Sequence, residues 1–114
     1  MAKKKYIPNR GDFVQLNLNP RSGSEQSGWR PALILSPVSY NSASGLAIAC
    51  PITSKIKGYP FEVVIHGDND ITGAVLADQI RCLDWRARKA RYVSKAPNDL
   101  LMDVIAKISV LIDP

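Results

Sequence analysis

Histidine is almost missing from this sequence: His66 stands alone among 114 residues. That excludes any mechanism needing two histidines and leaves little for a histidine-based metal centre. His66 precedes Gly67-Asp68-Asn69-Asp70, where a turn after a strand accounts for the residues more simply than a cation site. Cysteine is scarce too. Cys50 and Cys82 are the only two, each in an apolar, strand-like run, and two buried, reduced thiols are expected rather than a disulfide or redox pair. Long apolar runs are absent. The stretch 47–52 carries Cys50 and Pro51 and falls far short of the roughly 20 residues of a membrane-spanning helix. Lys3, Lys4 and Lys5 lack the apolar segment that follows them in a secretory signal. A cytoplasmic protein without membrane contact is expected. No glycine-rich phosphate loop, zinc spacing or serine–histidine or cysteine–histidine pairing occurs, and neither metal nor cofactor is expected.

What the chain does have is positive charge, +5 in all. Arg81, Arg86, Arg88, Lys89, Arg91 and Lys95 face a single acid, Asp84, and a thinner basic set, Lys55 and Lys57, leads to Tyr59. Such clusters attract polyanions, of which nucleic acid is the commonest in a cytosol. The length fits one domain, residues 1–114. Val14, Leu16 and Leu18 alternate with polar neighbours, the pattern of a half-buried strand. Ala32 to Leu35 reads as a strand buried on both faces, and Leu46 to about Ile52, Phe61 to Ile65, Ala74 to Ala77 and Arg91 to Val93 as further strands. Leu101, Val104, Ile105, Ile108, Leu111 and Ile112 recur at helical spacing, with Pro97 and Asp99 suited to the helix start. Short strands with glycine turns, closed by one helix, predict a mainly β (α+β) fold: a small antiparallel barrel with a C-terminal helix.

The polar segment from Arg21 to Arg30 is long for a connection between strands. Glu25 and Arg30 in it are the carboxylate and guanidinium that phosphoryl transfer uses, although a solvated charge and a structural ion-pair partner are the better reading of the residues alone. Thr53, followed by Ser54, Lys55 and Lys57, could hold a phosphate at a strand end, or be an ordinary turn residue. Tyr59 and Phe61 could stack on bases, with a core role the better reading of Phe61. Asp78 and Gln79 could bond base edges or form a solvated turn, and Trp29 and Trp85 are packing residues or base platforms.

Taken in order, several strings resemble the MazF/PemK (Kid) toxin family: Gly11-Asp12, Gly23-Ser24-Glu25-Gln26, Gly28-Trp29-Arg30-Pro31-Ala32, Leu35-Ser36-Pro37 and Tyr40-Asn41. Pro51-Ile52-Thr53-Ser54, Lys57 to Val64, Leu76-Ala77-Asp78-Gln79, Trp85-Arg86-Ala87-Arg88 and Ala106 to Ile112 continue the match over nearly the whole chain. The Lys57 to Val64 string is closer to the MazF branch. The resemblance implies a homodimer of SH3-like barrels that cleaves single-stranded RNA and is neutralised by an acidic antitoxin of the MazE type. It places the catalytic arginine and threonine on Arg30 and Thr53, and the loop glutamate on Glu25. RNA-contacting positions fall on Asn41, Lys57, Tyr59, Gln79 and Arg86, with Asp78 beside them. The histidine and Arg-x-Asp pair of the Kid branch are here Ser24 and Leu76-Ala77-Asp78; only the aspartate survives, and the MazF-type set is the one supported. The implied activity is a metal-independent endoribonuclease acting through the RNA's own 2′-hydroxyl. The alternative is a non-catalytic small barrel that binds nucleic acid or a peptide.

Overall fold

The computed structural model describes residues 5–18 and 28–113. The order of elements is β1 (Asp12–Asn17), β2 (Trp29–Ile34), α1 (Val38–Ser44), β3 (Leu46–Thr53), β4 (Glu62–Val64), β5 (Ala74–Leu76), β6 (Arg81–Asp84), β7 (Arg91–Lys95) and α2 (Asn98–Ile112). All strand pairs are antiparallel, in the order β4-β5-β3-β2-β1-β7 with β6 also on β3. The mainly β architecture with its C-terminal helix is the expected one. Among the described residues the end strands β4 and β7 do not pair with each other, so the sheet is open rather than a closed barrel. α2 covers one face: Leu100, Leu101 and Val104 pack into a core with Phe13, Leu33, Cys50, Val63 and Val75.

The other face has a core of its own, made by Val14, Leu16, Ala32, Ile34, Ala47, Ala49, Leu83 and Trp85, with Tyr6 and Ile7 against it. Phe13 and Val14 are therefore both fully buried. The expected alternation holds from Val14 to Asn17, with Gln15 and Asn17 half-buried, while at Phe13 the α2 core covers the other face as well. Asp12 ties the N-terminal segment down. Its carboxylate accepts the Tyr6 hydroxyl at 2.5 Å, the Asn9 amide at 3.0 Å and the Lys95 ammonium at 2.6 Å. Burial, then the bond to Asp12, pushes the Tyr6 phenol well above its ordinary range. Cys82 is exposed and only Cys50 is buried, which corrects the expectation for Cys82. Period two along β6 turns Leu83 inward and Cys82 outward.

Helix α1 was not foreseen. Its sequence VSYNSAS is rich in serine and has weak intrinsic helicity. Pro37 precedes it and Gly45, at φ 75°, ends it. Asn41 holds it in place and is fully buried. Its Nδ2 donates to the carbonyls of Pro8 (2.7 Å) and Ser36 (3.0 Å), its Oδ1 accepts the Ser36 hydroxyl (2.6 Å), and its carbonyl accepts Trp85 Nε1 (2.9 Å). Both amide hydrogens are engaged and the side chain is sealed from solvent, so the expected RNA contact at Asn41 is corrected to a structural one. The same bond settles Trp85 as a packing residue.

The last turn of α2 is less well covered. Val110 and Ile112 are 71% and 75% exposed. Ile112, Ile108, Ile105 and Met102 line an apolar groove of about 540 Å³ with Tyr40 and Ile80. Among the described residues, no helix is long and apolar enough to cross a membrane.

Asn41→Ala should cost on the order of 2–4 kcal/mol, because it strands buried carbonyls and a hydroxyl. A melting temperature within a degree or two of the parent would show that this network contributes little.

Candidate active site

The register of β2 on β3 builds the site. Ala32 faces Pro51, and Arg30 and Thr53 each lie two residues further along their strands, beyond the paired stretch. Both line a groove of about 620 Å³ together with Leu18, Ile52, Lys55 and Gln79. Arg81, the first residue of β6, lines it as well. Arg30, Lys55 and Arg81 are exposed cations, and the walls shared with Pro31, Pro51 and Ile52 lower the local dielectric around them. The groove continues past Thr53 into a smaller recess of about 120 Å³ lined by Lys57, Tyr59, Glu62 and Gln79. Lys57 Nζ lies 5.9 Å from the centre of the Tyr59 ring.

Thr53 is half-buried, and its Oγ1 accepts the Lys55 amide at 3.1 Å. A hydroxyl that accepts from an amide keeps its own proton to donate. The backbone of Thr53 is placed by an unusually close neighbour. Gly73 has φ +115°, and a Cβ on it would lie 2.0 Å from the Thr53 carbonyl oxygen. Only glycine permits this approach, which seats β5 against the end of β3.

Trp29, just before Arg30, is capped by the Arg91 guanidinium at 3.7 Å from its ring centre. The Arg30 guanidinium donates to the Trp29 carbonyl at 3.2 Å. Gln79 is exposed and its amide donates to the Leu76 carbonyl, so it projects from a turn after β5. Asp78 is exposed next to it and does not line the groove. Burial, with a smaller contribution from the Asp78 charge, pushes the Cys50 thiol up to about 12, which keeps it protonated and unreactive.

Arg30 thus lines the groove and Lys57 and Tyr59 the recess beside it, with Thr53, Lys55 and Gln79 lining both. Arg86 does not join them. It lies in the turn after β6, 4.9 Å over the Trp85 ring, and lines a separate hollow with Lys5, Tyr6 and Ile7. The expected place of Arg86 beside Arg30 is corrected for a single chain, since the turn after β6 leads it to the opposite end of that strand from Arg81. Glu25 lies outside the described residues. Arg81 was missed as a groove residue; its basic cluster was visible in the sequence, but not which member faces Thr53. Among the described residues no group of three histidine, cysteine or acidic side chains is placed to hold a metal ion.

The pattern of the PemK-like, MazF-like toxins of type II toxin–antitoxin systems matches residues 9–112. The chain is 44% identical over 108 residues to the endoribonuclease toxin MazF of Escherichia coli K12, covering 95% of this chain and 96% of that one. A crystal structure of MazF from Deinococcus radiodurans superposes with a TM-score of 0.86 at 48% identity, covering 96% of this chain and all 100% of the other. A MazE–MazF complex from the same organism gives 0.86 at 45% identity, with coverages of 96% and 98%. The chain belongs to the PemK-like, MazF-like toxin family.

Arg30→Ala and Thr53→Ala should each lower RNA cleavage about a hundredfold or more without a matching loss of stability, because both side chains face the groove. A collapse of the melting temperature for Arg30→Ala would show a structural residue instead. Arg81→Ala should weaken RNA binding at all sequences and reduce its salt slope by about one; an unchanged slope would remove Arg81 from the RNA path.

Proposed function

We propose that this chain is a sequence-selective endoribonuclease toxin that works as one domain, residues 1–114, in the cytoplasm and cuts single-stranded RNA without metal. The observation that carries the reading is the convergence of Arg30 and Thr53 in one cationic groove, in a chain 44% identical to a named endoribonuclease over nearly its full length. The nucleophile is the 2′-hydroxyl of the nucleotide 5′ to the cut, already tethered to the phosphate, so no water need be activated. Its oxygen attacks phosphorus while its proton passes to Glu25 or to the group Glu25 orients. Arg30 stabilises the charge that builds on the phosphate and assists the leaving 5′-oxygen. Thr53 holds a phosphate oxygen with its hydroxyl. Lys55 and Arg81 track the backbone, and Lys57, Tyr59 and Gln79 meet the bases.

Two partners accompany this reading. A second copy of the chain fits the uncovered apolar end of α2, where Met102, Ile105 and Ile112 line an open groove; a face of this kind pairs with itself about a two-fold axis. An acidic antitoxin segment of the MazE type fits the groove of Arg30, Lys55 and Arg81 and competes there with RNA. The Deinococcus MazF forms a complex with MazE.

Cleavage should leave a 2′,3′-cyclic phosphate upstream and a 5′-hydroxyl downstream, and a chelator should not change the rate. The deciding substrate carries one 2′-deoxy sugar immediately 5′ of the cut bond. It should bind and stay intact. Cleavage at the normal rate would identify water as the nucleophile, and binding of RNA with no cleavage at any protein concentration would favour a non-catalytic barrel.

A further inference from the structure

The wall of the groove beyond Thr53 is the segment 54–60, which has no regular secondary structure and is exposed throughout. Ile56 and Tyr59, its large apolar side chains, are 50% and 60% exposed. Burial therefore does little to offset the backbone entropy of fixing it. Polar bonds hold it instead. The Glu62 carboxylate accepts the Gly58 amide at 2.8 Å and the Lys57 amide at 3.0 Å, both on Oε1, with Oε2 3.4 Å from the Lys57 amide. Gly58, at φ +80°, has the left-handed conformation that lets two successive amides converge on one anion. The Glu62 amide closes the turn on the Tyr59 carbonyl at 3.1 Å, and Lys107 Nζ donates to the Pro60 carbonyl at 2.5 Å.

A carboxylate lining a groove for a polyanion needs a reason to be there, since it repels phosphate unless its charge is engaged. Here the charge is engaged by the loop's own amides, in bonds stronger than neutral ones. Lys55, Lys57 and Tyr59 of this loop line the recess, the last two flanking the bonded Gly58. We propose that Glu62 is a positioning residue: by holding the amides of Lys57 and Gly58 it fixes where Lys57 and Tyr59 meet the bases, and so sets the sequence selectivity of cleavage. The proposal rests on the RNA-cleaving reading given above, but its structural half can be tested apart from activity.

The experiment compares the full-length wild type with Glu62→Ala and Glu62→Gln. Amide hydrogen exchange at Lys57 and Gly58, kcat and KM on a single-site oligonucleotide, fragment 5′-end sequencing and melting temperature are measured for each. Glu62→Ala should speed exchange at both amides about tenfold, raise KM about tenfold with kcat within about threefold, and add new cut sites. Glu62→Gln keeps a carbonyl where Oε1 lies and should stay within about threefold of wild type in every readout. In a Tyr59→Ala background, Glu62→Ala should add little, because the two act as one unit. If Glu62→Ala does not fold, Gly58→Ala strains the same turn with the carboxylate intact, and should broaden the cut sites likewise. Unchanged exchange or unchanged site choice in the folded variant overturns the proposal. So does a kcat loss in Glu62→Gln as large as in Glu62→Ala, which would put Glu62 on the reacting atoms, or tighter RNA binding with the same selectivity. A wild type that cuts no RNA would sink the ribonuclease reading, while amide exchange would still decide whether Glu62 holds the loop.

Discussion

The hydrogen-bonded ladder along β3 is the constraint on which everything else depends. One edge of this strand pairs with β2, and the other is shared by β6 near its start and β5 near its end. A strand committed on both edges cannot slip without moving every neighbour. The first pairing brings the strand ends that carry Arg30 and Thr53 to one groove, and β6 brings Arg81 in from the opposite edge. The turn that leaves β5 brings in Gln79. Gly73 locks the far end, because its missing side chain lets β5 reach the Thr53 carbonyl. Side chains carried on the strands of one sheet are held more rigidly than side chains carried on loops.

Around that frame, buried polar groups do the work of joining parts that hydrophobic burial alone would leave loosely related. Asn41 connects the N-terminal segment, the 36–44 region and Trp85 through four hydrogen bonds. Asp12 does the same for Tyr6, β1 and β7 through Lys95. Networks of this kind specify a unique arrangement because every member is satisfied only in that arrangement. The groove is built on the opposite principle. Its cations are exposed, and the carboxylate of its recess, Glu62, is bound to backbone amides. The result is a positive, accessible channel with one ordered wall, suited to a flexible anionic strand.

Local pattern in the sequence was enough for the strands at 32–35, 46–52, 61–65 and 74–77 and for the C-terminal helix, since periodicity and turn residues are short-range signals. Ordered strings from Gly11 to Ile112 were enough for the family, and the resemblance they carry pairs Arg30 with Thr53. Other features depend on what packs against what. Asn41 sits in a string that resembles an RNA-contacting one, yet it is fully buried. Cys82 lies in an apolar run, yet it faces out. Arg81 and Arg86 belong to one basic cluster, but only Arg81 lines the groove beside Thr53, because they stand at opposite ends of β6. α1 has too little helical propensity to be foreseen and exists through its contacts. Charge, periodicity and motif order are properties of the chain, and so the class of fold and partner could be read from it directly. Which cation lines the groove beside Thr53 and which amide is sealed in the core depend on pairings between residues far apart in sequence, and those only the folded register supplies.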